Sequence, residues 1–223
     1  MIDLWVERLR GAEDSDLLAS LATSERERAA RIRSASTRAR YVAAHHWLRT
    51  RLSEILDLAP AMVPIVFDER GAPSVAGAAL ELSFSHHRDV VGLALSRRAV
   101  VGTDVLETPR DAHFLADTAL VLSSSEIAFV RSAPSHRQGA VFAHCWTRKE
   151  AYAKCRRSGL TRDLSNLTLT PSATALPEAT LWSRELSGAV VAVATRPIAI
   201  HQNAIETRPD VRMTEMTGSL RGG

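Results

Sequence analysis

Twice along this chain a long helical stretch gives way to short alternating strands, and that repeated order is the tightest constraint on its fold. The first stretch spans roughly residues 36–58, where Tyr41, Ala44, Leu48, Leu52 and Ile55 form one apolar stripe at helical spacing. Pro60 marks its end. The second spans residues 138–157 and is the best patterned segment of its half. Shorter helices are expected over residues 15–22, 24–34, 112–120 and 124–133, with Ser24 standing three residues ahead of Glu27 at capping-box spacing. Alternation and short apolar runs predict strands over residues 4–10, 65–67, 80–84, 90–95, 100–106, 164–169, 179–186 and 188–195. The expected fold class is α+β, with helices before strands in each half. The tail after Pro209, rich in Thr, Arg and Gly, reads as disordered.

A chain of 223 residues, 45% hydrophobic and 24% charged, can bury a real core as one large domain or two small ones. With no basic leader and no run of about 18 apolar residues, it is expected to be cytoplasmic, without a membrane partner. Cys145 and Cys155 fall in one expected helix, roughly 15 Å apart along its axis, too far for a disulfide. The formal charge of +3 is mild, but eight arginines crowd residues 26–51 against Glu25 and Glu27, which suits an anionic partner. That segment lacks interleaved aromatics beyond Tyr41 and Trp47, so nucleic acid is not the expected partner. Of the 28 basic residues only Lys149 and Lys154 are lysines, and they are neighbours. An arginine-biased chain that keeps lysine there needs a compact point charge at that place.

Three groups of residues carry chemistry. Asp104 lies inside the apolar strand Val100-Val101-Gly102-Thr103-Asp104-Val105-Leu106, where a carboxylate is costly unless a cation meets it. Trp146, Glu150 and Lys154 recur every four residues, placing a carboxylate and an ammonium on one helix stripe beside an aromatic wall. Ser85 and His86 end a strand, where a hydroxyl and an imidazole can hold a phosphate. Adjacent strand residues point to opposite faces, so His86 cannot activate Ser85 as a nucleophile.

These pieces in this order resemble the 4'-phosphopantetheinyl transferase superfamily, in particular its larger, pseudo-dimeric Sfp-type branch. The resemblance rests on Gly71-Ala72-Pro73, Ser85-His86, Gly102-Thr103-Asp104, and Trp146-Thr147-Arg148-Lys149-Glu150 through Lys154 to Gly159-Leu160, spanning roughly residues 24–160. It implies two similar α+β subdomains related by a pseudo-two-fold, residues 1–100 for the nucleotide end of coenzyme A and 101–208 for the metal site, with 209–223 as tail. It also implies a monomer that moves the phosphopantetheine arm of coenzyme A onto a serine of an apo acyl- or peptidyl-carrier protein, releasing adenosine 3',5'-bisphosphate.

By the same resemblance Asp104 and Glu150 bind Mg2+, Lys154 balances charge on the phosphate under attack, and Glu150 or a metal-bound water takes the serine proton. Ser85 and His86 hold phosphates of the nucleotide end, and Arg40 meets the 3'-phosphate, with Arg28 and Arg31 as further candidates. Glu126 resembles an acidic residue that the family places near the metal. Two positions depart from the pattern. Ala72 stands where the family has a phosphate-contacting lysine, a contact Arg70 would supply. Leu106 stands where many members have another metal-binding glutamate, so either water fills that position or a strand bulge brings in Glu107. The departures leave open an alternative, a non-catalytic protein of the same fold that binds coenzyme A or a carrier.

Overall fold

The computed structural model describes residues 1–9, 15–110, 121–158, 162–172, 175–176, 178–198 and 210–216. The helix expected over residues 112–120 lies outside them. The first half opens with β1 (Ile2–Arg8), followed by α1 (Ser15–Ala19), α2 (Thr23–Arg31) and the 22-residue α3 (Ala35–Leu56). A 3-10 turn (Pro60–Met62) leads to the small pair β2 (Ile65–Phe67) and β3 (Pro73–Val75), then the hairpin β4 (Glu81–His87) and β5 (Val90–Ser96). The second half begins with β6 (Ala99–Glu107) and continues through α4 (Ser124–Ser132), the 22-residue α5 (Ser135–Arg156) and α6 (Arg162–Asn166). It ends in β7 (Ala175–Leu176), β8 (Ala179–Leu186), β9 (Ala189–Pro197) and β10 (Val211–Met216).

The mixed α+β class is as expected, and the element order recurs. In each half the opening strand pairs with the second strand of the closing hairpin, giving the orders β1-β5-β4 and β6-β9-β8. Each sheet buries one face under its long helix and turns the other toward its partner sheet. Along β5, Val91, Leu93 and Leu95 pack with Tyr41, Leu48 and Leu52 of α3, while Val90 and Ala94 meet Val101, Val105, Val191 and Val193 between the sheets. Covered on both faces, β5 is buried at every position.

Three expectations are corrected. The α2 N-terminus is set by Ala22 and Glu25, whose carboxylate accepts the Ala22 N–H at 2.9 Å, two residues earlier than the Ser24–Glu27 box. Residues 164–166, read as the start of a strand over 164–169, belong instead to the helical turn α6; buried Leu164 and Leu169 gave an apolar spacing that serves a turn equally well. Residues 211–216, read as disordered tail, form β10, which pairs in parallel with β1 and lays Val211 and Met213 against the inter-sheet core. A C-terminal segment thereby completes the N-terminal sheet.

The two sheets also meet edge to edge, with side chains in place of a backbone ladder. Ser83 Oγ accepts the Thr103 N–H at 2.9 Å, Ser85 Oγ lies 3.4 Å from the Val105 N–H, and His87 Nδ1 accepts the Glu107 N–H at 3.2 Å. Every second residue of β4 thus satisfies every second N–H of β6.

Candidate active site

Gly102 brings the site together. A Cβ on it would stand 2.0 Å from the Ala151 carbonyl oxygen and 2.4 Å from the Cys155 nitrogen, so only glycine lets the α5 backbone lie directly on β6. Two residues on, Asp104 is buried, and Lys154 reaches it from α5 with Nζ 2.7 Å from Oδ1 and 3.1 Å from the Thr103 carbonyl. Ser85 donates to the same Oδ1 at 2.7 Å. The cation that a carboxylate in this strand requires is therefore Lys154, and Ser85 reaches Asp104 from the neighbouring sheet.

Glu150, one turn before Lys154, is half-buried. Burial first, and then the Asp104 charge, raise its carboxyl to about 7 against the opposing pull of Lys154. Among the described residues both side-chain bonds to Asp104 fall on Oδ1, and none falls on Oδ2. Two neighbouring carboxylates, one of them raised by burial and by the charge of the other, are a donor set that magnesium could share with phosphate oxygens. Among the described residues no cluster of three or more His, Cys, Asp or Glu side chains converges, so such an ion would draw its remaining ligands from substrate and water.

The β6–β9 ladder is continuous from Ala99 opposite Pro197 to Glu107 opposite Ala189, with no bulge. Leu106 consequently shares the face of Asp104 and packs near Trp146 and Phe142, while Glu107 points the other way. There Glu107 pairs with Arg8 at 3.0 Å and Arg88 at 3.3 Å. Burial alone would raise its carboxyl, but Arg8 and Arg88 hold it below the ordinary carboxylate range.

His86 lies on the face of β4 opposite Ser85. It is exposed at the surface yet closely neighboured by protein groups. Desolvation, followed by the charges of His45 and Lys154, lowers it to about 4, so it is neutral at pH 7. Arg28 stacks over the Tyr41 ring at 5.8 Å, and Arg28, Arg31 and Arg40 are all exposed around the α2–α3 junction. Arg40 Nε lies 3.3 Å from Asp89, and Arg70 donates to the Arg157 carbonyl at the end of α5 at 2.6 Å.

Glu126 differs from expectation. Fully buried, it pairs with Lys149 at 2.7 Å and accepts the N–H groups of Ser123 and Leu169, each at 2.7 Å. Lys149 spends its other bonds on the Val121 and Leu164 carbonyls at 3.0 and 2.6 Å. This pair ties α4, α5 and the segment after α6 together. Of the two lysines, Lys149 serves this buried tie and Lys154 the carboxylate cluster. Sequence reasoning also missed the Glu25–His45–Arg49 group, in which buried Glu25 takes His45 Nδ1 at 2.8 Å on one oxygen and Arg49 on the other. Their spacing along α3, i and i+4, was the available signal.

An α+β fold that closes a helix lysine onto a strand carboxylate, with a second carboxylate on the same helix, gathers groups that could take a divalent cation together with phosphate oxygens. The sequence profile of the 4'-phosphopantetheinyl transferase superfamily matches residues 100–201. The chain is 30% identical over 192 residues to the 4'-phosphopantetheinyl transferase HetI of a Nostoc species, covering 82% of this chain and 80% of HetI. It is 34% identical over 145 residues to the 4'-phosphopantetheinyl transferase AcpT of Salmonella typhi, covering 63% of this chain and 73% of AcpT. A phosphopantetheinyl transferase of a Thraustochytrium species is 29% identical over 188 residues, 76% of this chain and 65% of that one. The chain belongs to the 4'-phosphopantetheinyl transferase superfamily and is an enzyme of that kind, transferring phosphopantetheine to carrier proteins. No helix among the described residues is long and apolar enough to cross a membrane.

Proposed function

We propose that this enzyme, an Sfp-type monomer acting in the cytoplasm, moves the phosphopantetheine arm of coenzyme A onto a serine of an apo acyl- or peptidyl-carrier protein in a magnesium-dependent step. The recurring order of elements supports reading residues 1–100 and 101–208 as subdomains related by a pseudo-two-fold, with coenzyme A in the cleft between them. The observation that carries the reading is Lys154 on Asp104 at 2.7 Å with Glu150 on the same stripe of α5.

Asp104 Oδ2 and Glu150 would hold the magnesium ion. When bound, it would neutralise charge on the pyrophosphate of coenzyme A. Lys154 adds a positive charge beside the phosphate under attack. Glu150, or a water beside it, takes the proton of the carrier serine. The serine oxygen bonds to the phosphorus of the arm, and the bond to the departing adenosine 3',5'-bisphosphate breaks. Ser85 steadies Asp104 and, with His86, faces phosphates of the nucleotide, while Arg28, Arg31, Arg40 and Arg70 supply positive charge around it.

The test is mass spectrometry of a panel of apo-carriers incubated with coenzyme A, with and without magnesium. A phosphopantetheine mass gain on at least one carrier, abolished by chelation, is the expected result. Transfer that survives chelation would remove the metal role of Asp104 and Glu150.

A further inference from the structure

Arg148 stands on α5 beside Lys149 and Glu150 but faces β8, and it takes no part in the site described above. It is 1% exposed. Its Nη1 donates to Ser183 Oγ at 3.1 Å, and the same hydroxyl meets His144 Nδ1 at 3.0 Å. Nε and Nη2 meet no acceptor among the described residues. These two nitrogens share one edge of the planar guanidinium, so their N–H groups run parallel and form the fork with which arginine takes an anion. A buried donor left unmet is costly, and a buried charge left unbalanced is more so.

The neighbouring carboxylates are committed elsewhere. Glu126, whose charge reaches Arg148, gives one oxygen to the Leu169 N–H and the other to Lys149 and the Ser123 N–H. Glu185, beyond His144, gives its two oxygens to Arg137 at 3.1 and 2.7 Å. Cys145, one turn before Arg148, has its thiol pushed up to about 12 by burial, so it is uncharged at pH 7. Burial lowers the guanidinium only to about 10, and it keeps its charge. A water molecule would satisfy the two N–H groups and leave that charge unbalanced, whereas one negative charge on the fork meets both needs. Ser183 and His144 are half-buried, so a layer of side chains lies between Arg148 and solvent, and an ion that passes it must be small.

We propose that the Nε–Nη2 edge of Arg148 is a binding site for a small monovalent anion such as chloride, which pins α5 to β8, two strands away from Asp104. The proposal stands apart from the transfer reading. Its first test is thermal melting as sodium chloride replaces sodium gluconate at constant ionic strength, gluconate being too large to enter. The melting temperature of the wild type should rise with saturation, by about 3–6 °C at ten times the half-saturating concentration. Arg148→Met exchanges the buried charge for an apolar chain of similar length, a change that folded proteins tolerate, and its melting temperature should not respond to chloride. Crystals of the wild type soaked in sodium bromide should show the anomalous signal of bromide within hydrogen-bonding distance of Nε and Nη2, a readout that needs no variant. An equal rise in wild type and Arg148→Met, no rise in wild type, or water alone at the fork in the bromide crystals overturns the proposal.

Discussion

The carboxyl of Glu150 makes the metal-free site sensitive to pH in a direction that can be worked out. Its folded value of about 7 lies above the ordinary carboxyl value of 4.5, so the folded state holds this proton more tightly than the unfolded chain. Stability from this group is present below pH 4.5 and is lost as pH rises through about 7, when burial and Asp104 must accommodate a second negative charge. Glu150→Gln should therefore melt at a higher temperature than wild type at pH 8 without magnesium, and the gap should close by pH 5. A gap that is the same at both pH values would mean that Glu150 is not held near neutrality. The same variant, like Asp104→Asn, should abolish transfer while keeping the fold. Lys154→Arg should lose much of the activity despite keeping the charge, because a planar fork cannot take the Asp104 oxygen and the Thr103 carbonyl as an ammonium does. Turnover near that of wild type would make the choice of lysine incidental. Asp104 was legible from the sequence because a carboxylate in an apolar strand demands a cation, and Lys154 because an arginine-biased chain kept a lysine one turn after Glu150, but that the two would pair was not. The Lys149–Glu126 tie was not, since its remaining partners are backbone groups of distant segments that no side-chain pattern announces.

The contact between β6 and α5 fixes the distance from which the site works. Gly102→Ala would drive a methyl into the Ala151 carbonyl and the Cys155 nitrogen, both backbone atoms that cannot turn aside. The helix would have to lift, at a cost of about 1–3 kcal/mol typical of overpacking, and carry Glu150 and Lys154 off Asp104. Because a displacement of about 1 Å can cost roughly a hundredfold in rate, kcat should fall far more than stability does. A Gly102→Ala enzyme with normal kcat would show that this contact does not set the site. The unbroken β6 ladder gives a second expectation: Glu107→Ala should leave the magnesium requirement nearly unchanged, and Leu106→Glu should lower the concentration needed for half activity. The reverse pattern, measured by metal titration of the rate, would indicate a bulged register in the working enzyme. The strand around Asp104 could be read from its short apolar, valine-rich run. The turn at residues 162–166 and the strand at 211–216 could not, because the first is too short to show a period and the second is polar at alternate positions until β1 supplies its partner.

At the scale of the whole molecule, the halves are joined by an apolar core between the sheets and by the row of side chains along β4 and β6. The recurring order of elements was visible in the sequence, but the row was not. Ser83, Ser85 and His87 alternate like any strand facing a surface, and nothing in them announces that the N–H groups of another strand wait opposite. Two members of the row separate structural work from work at the site. Among the described residues Ser83 Oγ meets only the Thr103 N–H, whereas Ser85 Oγ lies by the Val105 N–H and also donates to Asp104. Ser83→Ala leaves a buried N–H without an acceptor and should cost about 1–3 kcal/mol of stability. Below the melting transition it should leave the magnesium dependence unchanged. Ser85→Ala removes the hydroxyl that steadies Asp104 as well as a weaker acceptor, so it should disturb stability no more than Ser83→Ala yet lower kcat and shift the magnesium curve. Urea denaturation and metal-titrated rates of the two variants side by side decide the matter. If both alter the rate equally, the row acts on the site only through the packing of the halves, and the direct bond from Ser85 to Asp104 has no separate role.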